Sequence, residues 1–190
     1  MSTRLIILLV TLGLAAPAGA DATGAIHGTI TSTPAHAAGS AVAYLEDAPG
    51  GQPVTATVTN KQMAFSPFIA IATVGAKVTF TNEDPFPHNV FSPDAGRWDI
   101  GQIQQHQSKT KVFSKAGAHT LLCNLHPNMK AYLVIVPSSF FAKSDKQGNF
   151  TIKDVPAGSY KLTVWAPGMK VVTQAVTVAG DTSAHFELHR

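Results

Sequence analysis

Short strand-like segments, separated by turns rich in glycine and proline, run through most of this 190-residue sequence. Residues 54–58 and 77–81 alternate apolar and polar side chains, which is typical of half-buried strands. Further strand-like segments are residues 131–136, 160–165 and 171–178. Strands of this length at this spacing predict an all-β sandwich. The only helical structure that we predict is a turn or two within residues 102–109.

The first 20 residues have the pattern of a secretory signal peptide. Arg4 gives a basic start, residues 5–14 are apolar, and residues 18–20 fit a small-residue cleavage site. The apolar run is too short to span a bilayer, which takes roughly 20 apolar residues. We therefore predict cleavage after Ala20 and a soluble protein in the periplasm or outside the cell. The alternative is that the segment is retained as a membrane anchor.

The charge balance gives no sign of a nucleic-acid partner. The sequence has 14 basic and 11 acidic residues, a net charge of +3, which falls to +2 when Arg4 leaves with the signal peptide. The basic residues form no cluster or stripe of the kind that tracks a phosphate backbone. We therefore predict neither a nucleic-acid partner nor a membrane span after cleavage.

A single cysteine stands within six positions of a histidine and a methionine. Cys123, His126 and Met129 have the spacing Cys-x2-His-x2-Met, and His88 lies 35 residues upstream in the segment 87–90, Pro-His-Asn-Val. A thiolate, two imidazoles and a weak thioether are the ligand set of a blue-copper electron-transfer site. A lone cysteine in an exported protein also indicates intermolecular pairing or a special chemical role.

Each of these residues has a plainer interpretation when it is taken alone. His88 would then be a surface residue after a proline-rich turn, Cys123 an inert buried thiol, and Met129 a packing residue. Together they favour one copper ion bound by His88, Cys123, His126 and Met129. Zinc is less favoured because a methionine is a soft, weak donor that suits copper better. Among the other histidines, His106 is the one candidate neighbour of the site.

Residues 53–137 resemble the cupredoxins, the small blue-copper proteins, over about half of the chain without its signal peptide. The resemblance rests on the plastocyanin-like motif at 87–90 and the amicyanin-like loop at 123–129, which occur in the expected order. It implies a Greek-key sandwich that holds one type 1 copper ion. It also implies one-electron transfer rather than catalysis.

The resemblance assigns a role to each residue of the site. It places the thiolate of Cys123 and the imidazoles of His88 and His126 in a trigonal plane. It places the thioether of Met129 on the axis. It implies that Asn89 ties the two ligand loops together. It also implies that His126 is the partly exposed ligand through which electrons pass.

The flanking segments resemble a second small domain. Residues 24–48 and 139–190 are similar to the opening and closing halves of a carboxypeptidase regulatory-like, or transthyretin-like, β-sandwich. We therefore predict that the copper domain is inserted into this second sandwich, as exposed loops permit. The alternative is that the flanks extend the cupredoxin sheets. The whole arrangement resembles periplasmic methylamine-utilization-like proteins.

Two functions remain open. The first is a one-electron carrier, not an enzyme, whose partner is a redox protein such as a dehydrogenase or a cytochrome. The second is a copper-handling or sensing module. The ligand set favours the first, because a delivery protein gains little from an enclosed thiolate. Phe86, Leu125 and Pro127 are either an apolar contact patch around His126 or packing residues.

Overall fold

The computed structural model describes residues 23–49, 51–94 and 96–190. The predicted signal peptide, residues 1–20, lies outside the described residues. Strands make up most of the described chain, so the all-β prediction is confirmed. No helix in this part of the chain has the length and apolar character that crossing a membrane requires.

Strands follow one another along the described residues with a single short helical interruption. The elements are β1 (Thr23–Ser32), a 3₁₀ helix (Ala35–Ser40), β2 (Val42–Leu45), β3 (Ala56–Lys61), β4 (Ala64–Ser66), β5 (Ile69–Thr73), β6 (Lys77–Asn82), β7 (His88–Ser92), β8 (Trp98–Ile103), β9 (Ser108–Val112), β10 (Gly117–Leu122), β11 (Lys130–Val136), β12 (Phe141–Lys143), β13 (Asn149–Pro156), β14 (Gly158–Trp165), β15 (Val172–Val178) and β16 (Thr182–Leu188).

The predicted helical turn at residues 102–109 is wrong. β8 ends at Ile103 and β9 begins at Ser108, so the segment contains a strand end, a tight turn and a strand start. His106 has a left-handed backbone with φ of 61°, and the amide N–H of Gln107 donates to the carbonyl of Gln104. The polar composition of the segment reflects its exposure at the turn.

The strands form four sheets, which we number by the order in which they stack. Sheet I has the strand order β13-β1-β16, sheet II β12-β2-β14-β15, sheet III β5-β11-β10-β7-β8 and sheet IV β4-β3-β6-β9. One hydrophobic cluster fills the space between sheets I and II, and a second fills the space between sheets III and IV. A third, smaller cluster joins sheets II and III. Apolar side chains therefore bind all four layers together.

Sheet III is covered on both faces at β5 and β11, and this explains the continuous apolar run at residues 131–136. In β11, Leu133 and Ile135 belong to the cluster shared with sheet IV, whereas Val134 and Val136 belong to the cluster shared with sheet II. β5 pairs with β11 in parallel and is buried at all five of its positions. A strand enclosed on both faces needs apolar side chains at every position rather than at alternate ones.

The pairing of β7 with β10 decides where the predicted ligands lie. The two strands are antiparallel neighbours in sheet III, with Leu122 opposite Phe91. The start of one strand therefore lies beside the end of the other. β7 starts at His88 and β10 ends one residue before Cys123, so both residues reach the same end of the sheet.

We predict that Leu121→Ala destabilises the protein by about 2 to 5 kcal/mol, the usual cost of truncating a buried leucine. Leu121 is fully buried between sheets III and IV. The matched control is Leu125→Ala, because Leu125 is 43% exposed and its truncation should change stability by no more than about 0.5 kcal/mol. Urea unfolding of the metal-free protein measures both values, and equal losses in the two variants would contradict the assigned core.

Candidate metal centre

Three of the four predicted ligands come together at one end of sheets III and IV. The ligand atoms of His88, Cys123 and His126 all lie within 4.8 Å of one another. The sulfur of Cys123 is 3.9 Å from Nδ1 of His88 and 3.9 Å from Nδ1 of His126. His88 and Cys123 are buried, and His126 is half-buried. A site therefore exists in which two imidazole nitrogens face one thiol.

The spacing of these atoms fits a shared metal ion. An ion bonded to sulfur at about 2.3 Å and to nitrogen at about 2.0 Å, with an angle of about 120° between the bonds, separates the two donors by about 3.7 Å. The observed separations of 3.9 Å are close to this value. One thiolate with two imidazoles is a donor set that suits copper or zinc rather than magnesium or calcium.

Met129 is buried near this end of the same core. It is 1% exposed and belongs to the hydrophobic cluster that also contains Cys123. Its amide N–H donates to the carbonyl of His126 at 3.0 Å, so the loop after Cys123 closes in a turn just before β11. This burial agrees with an axial ligand and with a packing residue alike, so the role of Met129 stays a prediction.

Asn89 joins the two loops that carry the ligands. Its side-chain oxygen accepts the amide N–H of Asn124 at 2.7 Å, across 35 positions of sequence. Its side-chain nitrogen lies 3.3 Å from a carboxylate oxygen of Asp99, which holds the amide in place. The structure therefore contains the tie that the cupredoxin resemblance implies for this residue.

Asp84 is a member of the site that the sequence did not reveal. Its carboxylate lies 2.8 Å from Nε2 of His88, on the side of the ring opposite to the nitrogen that faces Cys123. The same carboxylate accepts the amide N–H groups of Gln62 and Met63. Burial alone raises the pKa of this carboxyl group, but the three N–H donors outweigh burial and hold the pKa below its ordinary value. The spacing of four residues to His88 is too common in loops to have identified it.

Apolar side chains surround the half-buried histidine. The ring of Phe86 lies 5.3 Å from that of His88 and 5.4 Å from that of His126, measured between centroids. Leu125 and Pro127 are exposed on either side of His126. The edge of the site therefore has an apolar surface that solvent reaches.

His106 and His119 are not part of this cluster. His106 is exposed in the turn between β8 and β9, where its amide N–H donates to the carbonyl of Asn82. His119 lies on β10, four residues before Cys123, and its Nδ1 accepts the indole N–H of Trp98 at 3.3 Å. The predicted neighbour role of His106 at the site therefore has no contact to support it among the described residues.

Comparison with known proteins gives partial matches. A family model described as "Polysaccharide lyase family 4, domain II" matches residues 138–185. No curated protein matches the sequence. Among solved structures, amicyanin from Paracoccus versutus (Thiobacillus versutus) is 19% identical with a TM-score of 0.40, and the match covers 47% of this chain and 95% of amicyanin.

Two further solved structures match a similar share of the chain. A purple cupredoxin from Nitrosopumilus maritimus is 24% identical with a TM-score of 0.39, and the match covers 42% of this chain and 98% of that protein. A Cu-containing nitrite reductase from Thermus scotoductus SA-01 is 24% identical with a TM-score of 0.41. That match covers 46% of this chain and 24% of the reductase, so the chain spans about a quarter of the reductase's length.

We predict that His119 makes the metal-free protein less stable at mildly acidic pH. Burial lowers the pKa of His119, Asp94 partly opposes this effect, and Lys111 reinforces it. The rings of Trp98 and Phe113 also pack against His119. Folding lowers the pKa of His119 below its unfolded value of about 6.5, so the folded protein favours the neutral ring. The stability that His119 contributes above pH 6.5 is therefore lost as the pH falls through its folded-state pKa.

The measurement is the free energy of unfolding in urea at pH 7 and pH 5. The His119→Gln variant should lose less of its unfolding free energy between these two values than the unmodified protein does. His36→Gln, at an exposed histidine on the 3₁₀ helix, is the control. An identical loss in the unmodified protein and in His119→Gln would show that this imidazole does not affect the pH dependence.

Proposed function

We propose that this chain is an exported type 1 copper protein that carries single electrons and is not an enzyme. The observation that carries the proposal is the buried thiol of Cys123, with Nδ1 of His88 and Nδ1 of His126 each 3.9 Å from its sulfur. Copper held by these atoms, together with the thioether of Met129, would supply a one-electron Cu(II)/Cu(I) couple. Residues 1–20 would direct the protein to the periplasm.

The way the donors are held supports electron transfer rather than catalysis. Hydrogen bonds fix Asn89 to the Cys123 loop and Asp84 to His88, and Pro127 stiffens the chain beside His126. Donors that are already in place need little movement when the charge of a bound metal changes. A site of this kind favours rapid gain and loss of an electron.

The apolar surface around His126 is the proposed contact for a redox partner. Leu125 is 43% exposed and Pro127 is exposed, so neither residue is used for packing in the core. Phe86 is partly exposed and lies against the ring of His126. A dehydrogenase or a cytochrome that covers this surface would bring its own redox centre close to the half-buried imidazole.

A copper-handling or sensing module is the alternative, and burial argues against it. His88 is fully buried and Cys123 is 4% exposed. A protein that passes its metal to a partner needs ligands that the partner's donors can reach. Here two of the three donors that face one another are enclosed, and only the half-buried His126 reaches the surface.

We also propose that residues 24–48 and 139–190 form one domain into which residues 53–137 are inserted. The cluster between sheets I and II draws its residues from the two flanks, and the cluster between sheets III and IV draws its residues from the central segment. No described strand of the flanks pairs with sheet III or sheet IV. This separation supports insertion over an extension of the central sheets.

A copper(II) titration of the purified, exported protein tests the function. We expect an intense blue or green absorption band that saturates at one copper ion per chain, because a thiolate bonded to copper(II) absorbs strongly. The Cys123→Ser variant should fold and show no such band. A colourless product that elemental analysis finds free of metal would overturn the proposal, and a Cys123→Ser protein that still turned blue would overturn the ligand assignment.

We predict that Met129→Gln keeps the copper ion but lowers its reduction potential. An amide oxygen is a harder donor than a thioether, so it stabilises copper(II) more than copper(I). Voltammetry of the loaded protein measures the potential, and the visible band shows that copper is still bound. An unchanged potential would indicate that Met129 is a packing residue below the site.

A further inference from the structure

The carboxylate of Asp84 lies between an exposed hairpin turn and a buried residue of the metal centre. Its Oδ1 accepts the amide N–H of Gln62 at 2.6 Å, and its Oδ2 accepts the amide N–H of Met63 at 2.9 Å. Oδ2 also lies 2.8 Å from Nε2 of His88. Asp84 is 6% exposed and His88 is fully buried. Three nitrogen atoms therefore converge on one carboxylate that is shielded from solvent.

These contacts determine which ring nitrogen of His88 carries the proton. A backbone N–H already donates to each oxygen of Asp84, so both oxygens act as acceptors and the ring nitrogen facing Oδ2 is assigned as a donor. Nε2 therefore carries hydrogen, and in the neutral ring Nδ1 keeps a free lone pair. Nδ1 is the nitrogen that lies 3.9 Å from the sulfur of Cys123.

We propose that Asp84 is a positioning residue that sets the tautomer of His88 and increases the donor strength of its Nδ1 toward the metal. This inference rests on the proposed function for its effect on copper, but its effect on the tautomer needs no metal. A carboxylate behind a ligand imidazole fixes the ring orientation and makes the ring a stronger donor. The negative charge should favour copper(II) over copper(I) and so keep the reduction potential low.

The loop around Asp84 is held without any contribution from a metal. The amide N–H of Asp84 donates to Oδ1 of Asn82 at 3.0 Å. The side-chain nitrogen of Asn82 donates in turn to the carbonyls of Phe86 and Ile103, at 2.8 and 3.0 Å. Asn82 is fully buried. The carboxylate is therefore already in place when a metal arrives, and it imposes the tautomer on the metal-free protein.

Asparagine at position 84 cannot replace this arrangement. An asparagine side chain presents one acceptor and one donor where the carboxylate presents two acceptors. If its nitrogen takes the place of Oδ2, it faces the N–H of Met63 and drives the proton of His88 to Nδ1. If its nitrogen takes the place of Oδ1, the N–H of Gln62 loses its partner. Either orientation also removes the negative charge.

Nitrogen NMR of the metal-free, unmodified protein at about pH 8, where histidines are ordinarily neutral, is the first test. We expect the spectrum of His88 to show hydrogen on Nε2 and a free Nδ1. Hydrogen on Nδ1 would overturn the inference. This measurement uses no copper and no variant, so its outcome stands whether or not the protein binds copper and whether or not Asp84→Asn folds.

The second test compares Asp84→Asn with Glu83→Gln, a variant that loses the same charge one residue away. Glu83 is exposed and pairs with Lys61 at 2.9 Å, so it belongs to no contact of the metal centre. We expect Asp84→Asn to weaken copper(II) binding by roughly 10- to 100-fold and to raise the reduction potential. Glu83→Gln should change neither quantity.

Equal changes in the two variants, or no change in Asp84→Asn, would overturn the role of Asp84 toward the metal. If the unmodified protein binds no copper, the proposed function fails and the NMR result alone decides whether Asp84 sets the tautomer. Failure of the proposed function is read from the visible band, whereas failure of the tautomer assignment is read from the nitrogen chemical shifts of His88. The two failures are therefore distinguishable.

Discussion

The antiparallel pairing of β7 with β10 is the contact on which the metal centre depends. It sets the start of one strand beside the end of the other, which brings His88 to Cys123 across 35 positions of sequence. Any change in the register of this pair would move the imidazole away from the thiol, because each residue of a strand advances the chain by about 3.3 Å. The core between sheets III and IV, which contains Val90 of β7 and Leu121 of β10, holds that register in place.

Two buried side chains then refine what the strands bring together. Asn89 accepts a hydrogen bond from Asn124 and so holds the loop that follows Cys123, while Asp84 accepts one from His88 and so orients its ring. Each donor loop is therefore fixed by a group that is not itself a predicted ligand. The ring of His126 packs against Phe86, and it is the half-buried member of the cluster.

The stacking of sheet III on sheet II connects the metal centre to the flanking strands. The rings of Tyr132 and Trp165 meet at 5.4 Å across this boundary, and the ammonium group of Lys143 donates to the carbonyl of Ile69. Burial lowers the pKa of Lys143, in keeping with its position between the layers. The flanking sheets thus shield the second face of β5 and β11 from solvent, which an isolated two-sheet sandwich would leave exposed.

The sequence by itself determined the all-β fold, several of the strands and the close spacing of Cys123 and His126, because alternation of side chains and short ligand spacings are local properties of a chain. Only the pairing of β7 with β10 brought the ring of His88 to that thiol. The sequence did not reveal Asp84, and it suggested a helical turn at 102–109 where two strands meet. Only the tertiary structure decided these points. A carboxylate acquires its role from groups far away in sequence, the turn at residues 62–63 and the ring of His88. Likewise, the strands on either side of residues 104–107 are stabilised by partners in two different sheets.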